Sequence, residues 1–344
     1  MKAAAQHLPL AVTMGEPAGI GGEITLMAWR ARNSALLPPF FIVDDPGRLA
    51  AVARTAGLDV PVAEIARPED AARVFSTALP VLPIGEPVHA VLGRPDPATG
   101  RAVVASIDQA VGLVRQGRAA AVVTNPIHKH VMYQSGFTAP GHTEYLAQLA
   151  GVPRAVMMLA CPRLRVVPVT VHIPLRRAVA EISADEIVAQ SMICASALRI
   201  DFGISAPRIA VAGLNPHAGE DGSIGDEEIR FIAPAVARLR SQGIDAFGPL
   251  PPDTMFHDEA RRRYDVAVCM YHDQALIPLK ALGFWEGINV SLGLPFVRTS
   301  PDHGVALDVA GTGKARPESL IAAIAAAGEF ASRRSAYTAD HAIA

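Results

Sequence analysis

His172, His217 and His272 each follow a short apolar, β-prone run, in "VTVHIPL", "RIAVAGLNPH" and "DVAVCMYHD". Imidazole is a common ligand for zinc and other divalent ions, and a catalytic ion keeps coordination positions open. Three histidines at three strand exits therefore suit one metal site. The plain alternative is three unrelated loop or core histidines, and no sequence-local zinc motif such as CxxC or HExxH decides between them. Asn215 and Glu220 flank His217. Asp273 adjoins His272, where it is expected either to orient the ring or to cap the following helix.

A second group lies in "GFTAPGHTEYLAQLAG" (136–151), where Gly141, His142, Thr143 and Glu144 stand at the entry to a helix. Thr143 is the expected N-cap, and such a terminus suits an anionic or hydroxylated ligand. A third group is "KALGFWEGINVSLGLPFVRTS" (280–300), which supplies Lys280, Asn289 and Arg298. Two cations and an amide among glycines can cradle a phosphate or carboxylate; taken singly, each reads as a surface group.

Nucleotide-binding signals are mixed. "GEPAGIGGEI" (15–24) follows a strand but does not match GxGxxG, and a Walker P-loop is absent around Gly313–Lys314. "SPDHGVALDVAGTGKARPESL" (300–320) is a second Gly-rich loop whose backbone donors can take phosphates or adenosine.

These groups need a scaffold. Short β-branched runs alternate with helical patterns: strands are expected over 8–15, 38–45, 119–126, as a pair over 155–175, over 208–217 and over 265–273. Helices are expected over 19–34, 100–117, 182–203, 225–243 and 317–334, the third with Ser183 as N-cap. This is α/β architecture with largely parallel sheets, and ligands in such sheets bind beyond the carboxyl ends of the strands. "GPLPPDTMF" (248–256) is expected to be a loop, because prolines are excluded from a sheet interior. Chain breaks are expected near 127–140 and 295–304.

Composition bounds the function. The chain has 344 residues, is 50% hydrophobic and 19% charged, and carries a formal net charge of −2. It can bury a sizeable core. No basic or acidic block points to nucleic acid or an anionic membrane surface. Three dispersed cysteines fit a reducing cytosol rather than a disulfide framework. No apolar run is long enough for a membrane span and the N-terminus lacks a signal-peptide core, so a cytoplasmic enzyme is expected.

The motifs "GEPAGIG", "TNPIHK", "GHTEYLA", "VTVHIPL", "GLNPHAGEDG", "GPLPPDTMF", "YHDQALIPLK" and "GINVSLGLPFVRTSPDHG", in that order, resemble the 4-hydroxythreonine-4-phosphate dehydrogenase (PdxA) family of vitamin B6 biosynthesis. The resemblance implies an isocitrate/isopropylmalate dehydrogenase-like fold of two α/β/α domains around a cleft, without a Rossmann fingerprint. The expected first domain is 1–127 with 300–344, on the cofactor side. The second is 128–299, carrying the metal and the dimer contact.

The resemblance further implies metal ligands His172, His217 and His272, and substrate contacts His142, Thr143, Lys280, Asn289 and Arg298. The stretch from His303 to Pro317 is similar to the cofactor loop of isopropylmalate dehydrogenases, which implies NAD (or NADP) contacts at His303, Gly304, Asp308, Gly311 and Gly313. His142 and Asp253 are the candidate proton-handling groups. The implied metal is a divalent ion such as Zn, Mg, Mn or Co, and the implied assembly is a homodimer with ligands from both subunits at each site. The implied reaction is oxidation of 4-phosphooxy-L-threonine, followed by decarboxylation to 3-amino-2-oxopropyl phosphate. The rivals are relatives acting on sugar-acid 4-phosphates (threonate or erythronate) or on a terephthalate-derived diol, and a non-catalytic metal-binding homologue. Gly22 departs from the proline common in the family, at a turn rather than at an implied ligand.

Overall fold

The computed structural model describes residues 8–139 and 141–341; Pro140, inside the expected 127–140 break, lies outside them. The chain forms two compact units, 1–153 with 294–332 and 154–293 with 333–344.

The sheet of the first unit contains β1 (Leu10–Thr13), β2 (Phe40–Asp44), β3 (Val62–Glu64), β4 (Leu79–Pro83) and β5 (Val122–Val123), with a later strand, Arg298–Pro301. The order is β3-β4-β2-β1-β5 and then Arg298–Pro301, and every pairing is parallel. β1 and β2 are buried along their whole length, as continuous apolar runs in a covered parallel sheet should be. Gly100–Arg115 packs beside β1 and β2, with Val103, Ile107, Ala110 and Val111 facing inward.

The stretch 128–153, which the sequence assigns to the second domain, belongs to this unit. Tyr145 donates to Asp108 at 2.5 Å, and Arg115 donates to the carbonyl of Leu149 at 2.6 Å. Both links tie the helix His142–Ala150 to the helix Gly100–Arg115. The end of the closing helix, Glu318–His341, groups instead with the second unit, where Arg334 makes two 2.7 Å bonds to the carboxylate of Asp201.

The second unit contains β6 (Val156–Cys161), β7 (Leu164–Pro168), β8 (Arg208–Ala212), β9 (Asp245–Leu250), β10 (Val266–Cys269) and β11 (Ile288–Leu292); the strand Arg298–Pro301 of the first unit is β12. Its strand order is β11-β6-β7-β10-β8-β9. β6 pairs antiparallel with β11 and β7, whereas β7, β10, β8 and β9 run parallel. Val166, Val268, Ala210 and Leu159 lie among its buried apolar residues.

The helix Ala184–Ile200 starts as expected: Ser183 Oγ accepts the Glu186 N–H at 3.2 Å. The Pro-rich stretch does not. Gly248, Pro249 and Leu250 belong to β9, because β9 lies at the end of the strand order, pairs with β8 through an irregular register, and so tolerates a residue without an N–H. "DVAVCMYHD" ends as a strand at Cys269, and His272 opens a helix, His272–Gly283.

Candidate active site

In the second unit, three neighbouring parallel strands bring the three histidines to one edge. β10 lies between β7 and β8, with Ala267 opposite both Val166 and Ala210. His172 follows β7, His272 follows β10 and His217 follows β8. The rings of His172 and His272 stand 5.6 Å apart between centroids. His272 Nδ1 and Asp273 Oδ1 are 2.7 Å apart, which leaves Nε2 as the ring's outward lone pair. Tyr271, not Asp273, occupies the N-cap position, and it makes no side-chain cap bond. Orienting His272 is therefore the role Asp273's geometry supports.

His217 sits on unusual backbone. His217, Ala218, Gly219, Glu220 and Asp221 all have positive φ, between 43° and 81°. A left-handed residue other than glycine costs about 1–2 kcal/mol, so neighbours must hold this turn. Glu228 does so from a buried position, 3% exposed. Its Oε1 accepts the N–H of Leu214 at 2.7 Å and that of Asn215 at 2.8 Å, while Oε2 accepts Asn215 Nδ2 at 3.0 Å. Burial pulls the Glu228 carboxyl upward, but the Asn215 and Leu214 bonds outweigh it and hold it below the usual carboxylate range. Among the described residues no group of three or more His, Cys, Asp or Glu forms a ready metal site. The donors nonetheless fit a divalent ion in kind: two adjacent imidazoles, one fixed by a carboxylate, with a third in the turn that follows the next parallel strand.

Lys280 lies on the helix that His272 opens. Eight residues advance a helix by about 12 Å, a little over two turns. Its Nζ stands 5.2 Å from the ring centroid of Phe284. Asn289 lies in β11 opposite Leu159, with its Oδ1 buried and without a hydrogen-bond partner. Asp253 is exposed in the turn after β9.

The first unit gathers cationic and imidazole side chains around Arg298 and His142. Arg298 opens β12 opposite Val122, is 2% exposed, and donates to Thr124 Oγ1 at 2.6 Å. Burial pushes its pKa down to about 10, opposed by the charge of Glu144. Burial, with the charges of Arg298 and Lys129, holds the His142 imidazole well below its ordinary pKa. His142 Nε2 is buried and has no hydrogen-bond partner, so a neutral ring awaits one. Thr143 is not the N-cap: Gly141 takes that position in extended conformation, and Thr143 lies within the helix. Lys129 was legible only as part of "TNPIHK". A Cβ placed on Gly141 would come 3.7 Å from Lys129 Nζ, so this second cation stands at the same helix entrance.

The two Gly-rich stretches of this unit lie against each other. The N–H of Ile20 donates to the Val305 carbonyl at 3.1 Å, and that of Gly93 to the Ala18 carbonyl at 2.8 Å. Buried Glu23 Oε2 accepts the Gly311 N–H at 2.7 Å. Gly311 has φ +77° and a Cβ there would approach Leu92 to 2.6 Å, so the loop requires glycine. His303 Nδ1 bonds the neighbouring Gly304 carbonyl at 2.9 Å; Gly304 and Asp308 are exposed, and Gly313 has φ +72°. The near loop is pinned by Arg48, which donates to the Pro17 carbonyl at 3.1 Å and to buried Asp44 at 2.9 Å.

Known proteins match most of the chain. A family model for the pyridoxal phosphate biosynthetic protein PdxA matches residues 37–327.

The chain belongs to the PdxA family. A 4-hydroxythreonine-4-phosphate dehydrogenase of Bradyrhizobium diazoefficiens is 55% identical over 95% of this chain and 97% of its own. The enzyme of that name from Methylorubrum populi is 54% identical over 96% of each. The crystal structure of the Klebsiella pneumoniae 4-hydroxythreonine-4-phosphate dehydrogenase superposes with a TM-score of 0.86 at 39% identity, covering 96% of this chain and 99% of that one. A terephthalate 1,2-cis-dihydrodiol dehydrogenase from Burkholderia xenovorans is similar at 28% identity and a TM-score of 0.61, over 93% and 97% of the two chains. Membership agrees with two α/β units that lack a dinucleotide fingerprint.

Proposed function

We propose that this PdxA-family chain is an NAD(P)-dependent, metal-dependent dehydrogenase that oxidises 4-phosphooxy-L-threonine to 2-amino-3-oxo-4-(phosphooxy)butanoate. That product then loses CO2 to give 3-amino-2-oxopropyl phosphate, on the route to pyridoxine 5'-phosphate. The observation that carries the reading is the row of His172, His272 and His217 beyond the adjacent strands β7, β10 and β8.

His172, His217 and His272 would hold the divalent ion (Zn, Mg or Co), with Asp273 fixing the His272 ring. When bound, the ion supplies Lewis acidity toward the substrate's hydroxyl oxygen, and the nicotinamide accepts the hydride. Arg298, Lys280 and Asn289 bind the anionic groups; Arg298 carries two-pronged donors and Lys280 a point charge. Thr143 offers a further hydroxyl to the substrate. His142, kept neutral by burial, accepts the hydroxyl proton or a substrate hydrogen bond at Nε2, and Asp253 is the alternative base. His303, Gly304, Asp308, Gly311 and Gly313 hold the cofactor, in a loop whose shape Glu23 maintains.

The working form is proposed to be a cytoplasmic homodimer with ligands from both subunits at each site. Exposed Ile277, Phe284 and Trp285, on and just after the helix that carries His272 and Lys280, supply an apolar contact surface. The three cysteines, all free and buried, suit a reducing compartment.

The second reading is oxidation of a terephthalate-derived diol, favoured by the likeness to the Burkholderia xenovorans diol dehydrogenase, with a sugar-acid phosphate as the other rival substrate. Purified protein offered each substrate with NAD and a divalent ion separates the readings. Turnover of 4-phosphooxy-L-threonine supports the first. Turnover of a threonate or erythronate phosphate without it overturns the first.

A further inference from the structure

We infer that Glu228 is the positioning residue for His217, acting through Asn215 and the left-handed turn between them. This rests on the reading of His217 as a metal ligand.

The turn follows β8 without any regular pairing of its own. Its start is fixed by one carboxylate. Glu228 Oε1 takes two successive backbone N–H groups, from Leu214 and Asn215. Oε2 takes the Asn215 side chain, which also bonds Glu227 Oε2 at 2.7 Å. The far part of the turn closes on the same group. A Cβ on Gly219 would stand 2.6 Å from Glu228 Oε2, and a Cβ on Gly225 would collide with the Asn215 amide. The Ile224 N–H returns to the Gly219 carbonyl at 3.1 Å. His217 is itself exposed, between these two anchored ends. Positive φ is uncommon for any residue but glycine, and Ala218 and Glu220, unlike His217 and Asp221, are not even types enriched there. The conformation that presents His217 is therefore supplied by the Asn215–Glu228 clamp. Glu228 needs no contact with an ion or a substrate to do this.

The test is equilibrium dialysis of full-length E228Q, N215A and H217A against cobalt(II) alone, with thermal unfolding measured in parallel. E228Q preserves size but sets an amide against the Asn215 amide. N215A leaves both backbone bonds to Glu228 in place, so it carries the test if E228Q does not fold. Removing an outer partner of a metal ligand typically weakens affinity about 10- to 100-fold. That loss is expected for both variants in samples that remain folded, together with a loss at least as large for H217A. A merely structural role would lower the unfolding temperature and leave the affinity of the folded protein unchanged. Near-native cobalt affinity in folded E228Q or N215A, beside a clear loss in H217A, overturns the inference while His217 stays a ligand. Native affinity in H217A overturns both.

Discussion

The Nδ1 of His272 and the Oδ1 of Asp273 lie 2.7 Å apart, on consecutive residues at the start of one helix. The bond fixes the tautomer that leaves Nε2 free to bind an ion. D273N keeps an acceptor but removes the charge. It is expected to weaken divalent-ion affinity about tenfold, the lower end of what outer partners contribute, with a smaller loss than in H272A. Titration of the metal-free protein with cobalt(II) measures this, and equal affinities for D273N and the parent would assign Asp273 to the surface.

Arg298 is a buried cation of the first unit. A charge-assisted hydrogen bond contributes about 1.5–3 kcal/mol. R298M should therefore raise KM for the phosphorylated substrate by roughly 10- to 100-fold. R298K is expected to recover little of this, because an ammonium cannot reproduce the guanidinium's fixed fork. Steady-state kinetics with the substrate varied provides the check. A KM unchanged in R298M would remove Arg298 from the anion site.

His142 gives a pH dependence with a definite sign. Its folded pKa is depressed, chiefly by burial and then by Arg298 and Lys129. Between that depressed value and the unfolded value near about 6.5, the unfolded chain takes up a proton that the folded chain does not. Stability contributed at this site is therefore full above about pH 6.5 and falls as pH falls, at up to about 1.4 kcal/mol per unit. Urea unfolding from pH 7 down to 5 should show a shallower decline in H142N than in the parent. Identical slopes would contradict a neutral, buried His142.

Glu23 holds the proposed cofactor loop through the Gly311 N–H. E23Q should raise KM for NAD(P) severalfold to about tenfold, as expected for weakening one hydrogen bond to a charged group, and leave cobalt affinity unchanged. Kinetics with the nicotinamide varied, alongside the metal titration, separates a local effect on the loop from general damage.

Much of this site could be read from residue order. The histidines were visible because each ends an apolar run, and strand ends are where α/β sheets bind ligands. That β10 falls between β7 and β8 could not be read, since strand order is a tertiary property. β9 was hidden by its proline, which its place at the end of the strand order tolerates. β3, β4, β11 and β12 are short runs among prolines, glycines and polar residues, too brief to mark strands by pattern. Thr143 looked like a cap because its type suits one, but the backbone turns a residue earlier at Gly141. The unit boundary shifted because Tyr145 and Arg115 reach across a gap in sequence that no local pattern marks. Glu228 falls within the helix expected over 225–243; its grip on Asn215 depends on the left-handed turn after β8, which is a tertiary feature.

The central claim is tested most directly by following reduced nicotinamide in a reaction of the purified protein, NAD(P) and a divalent ion with 4-phosphooxy-L-threonine. Parallel reactions contain threonate and erythronate 4-phosphates and the terephthalate-derived diol. The account predicts sustained reduction with 4-phosphooxy-L-threonine, accompanied by equimolar CO2 and abolished by H272A in a protein that remains folded. Reduction with another substrate and none with 4-phosphooxy-L-threonine, or full activity in H272A, would contradict it.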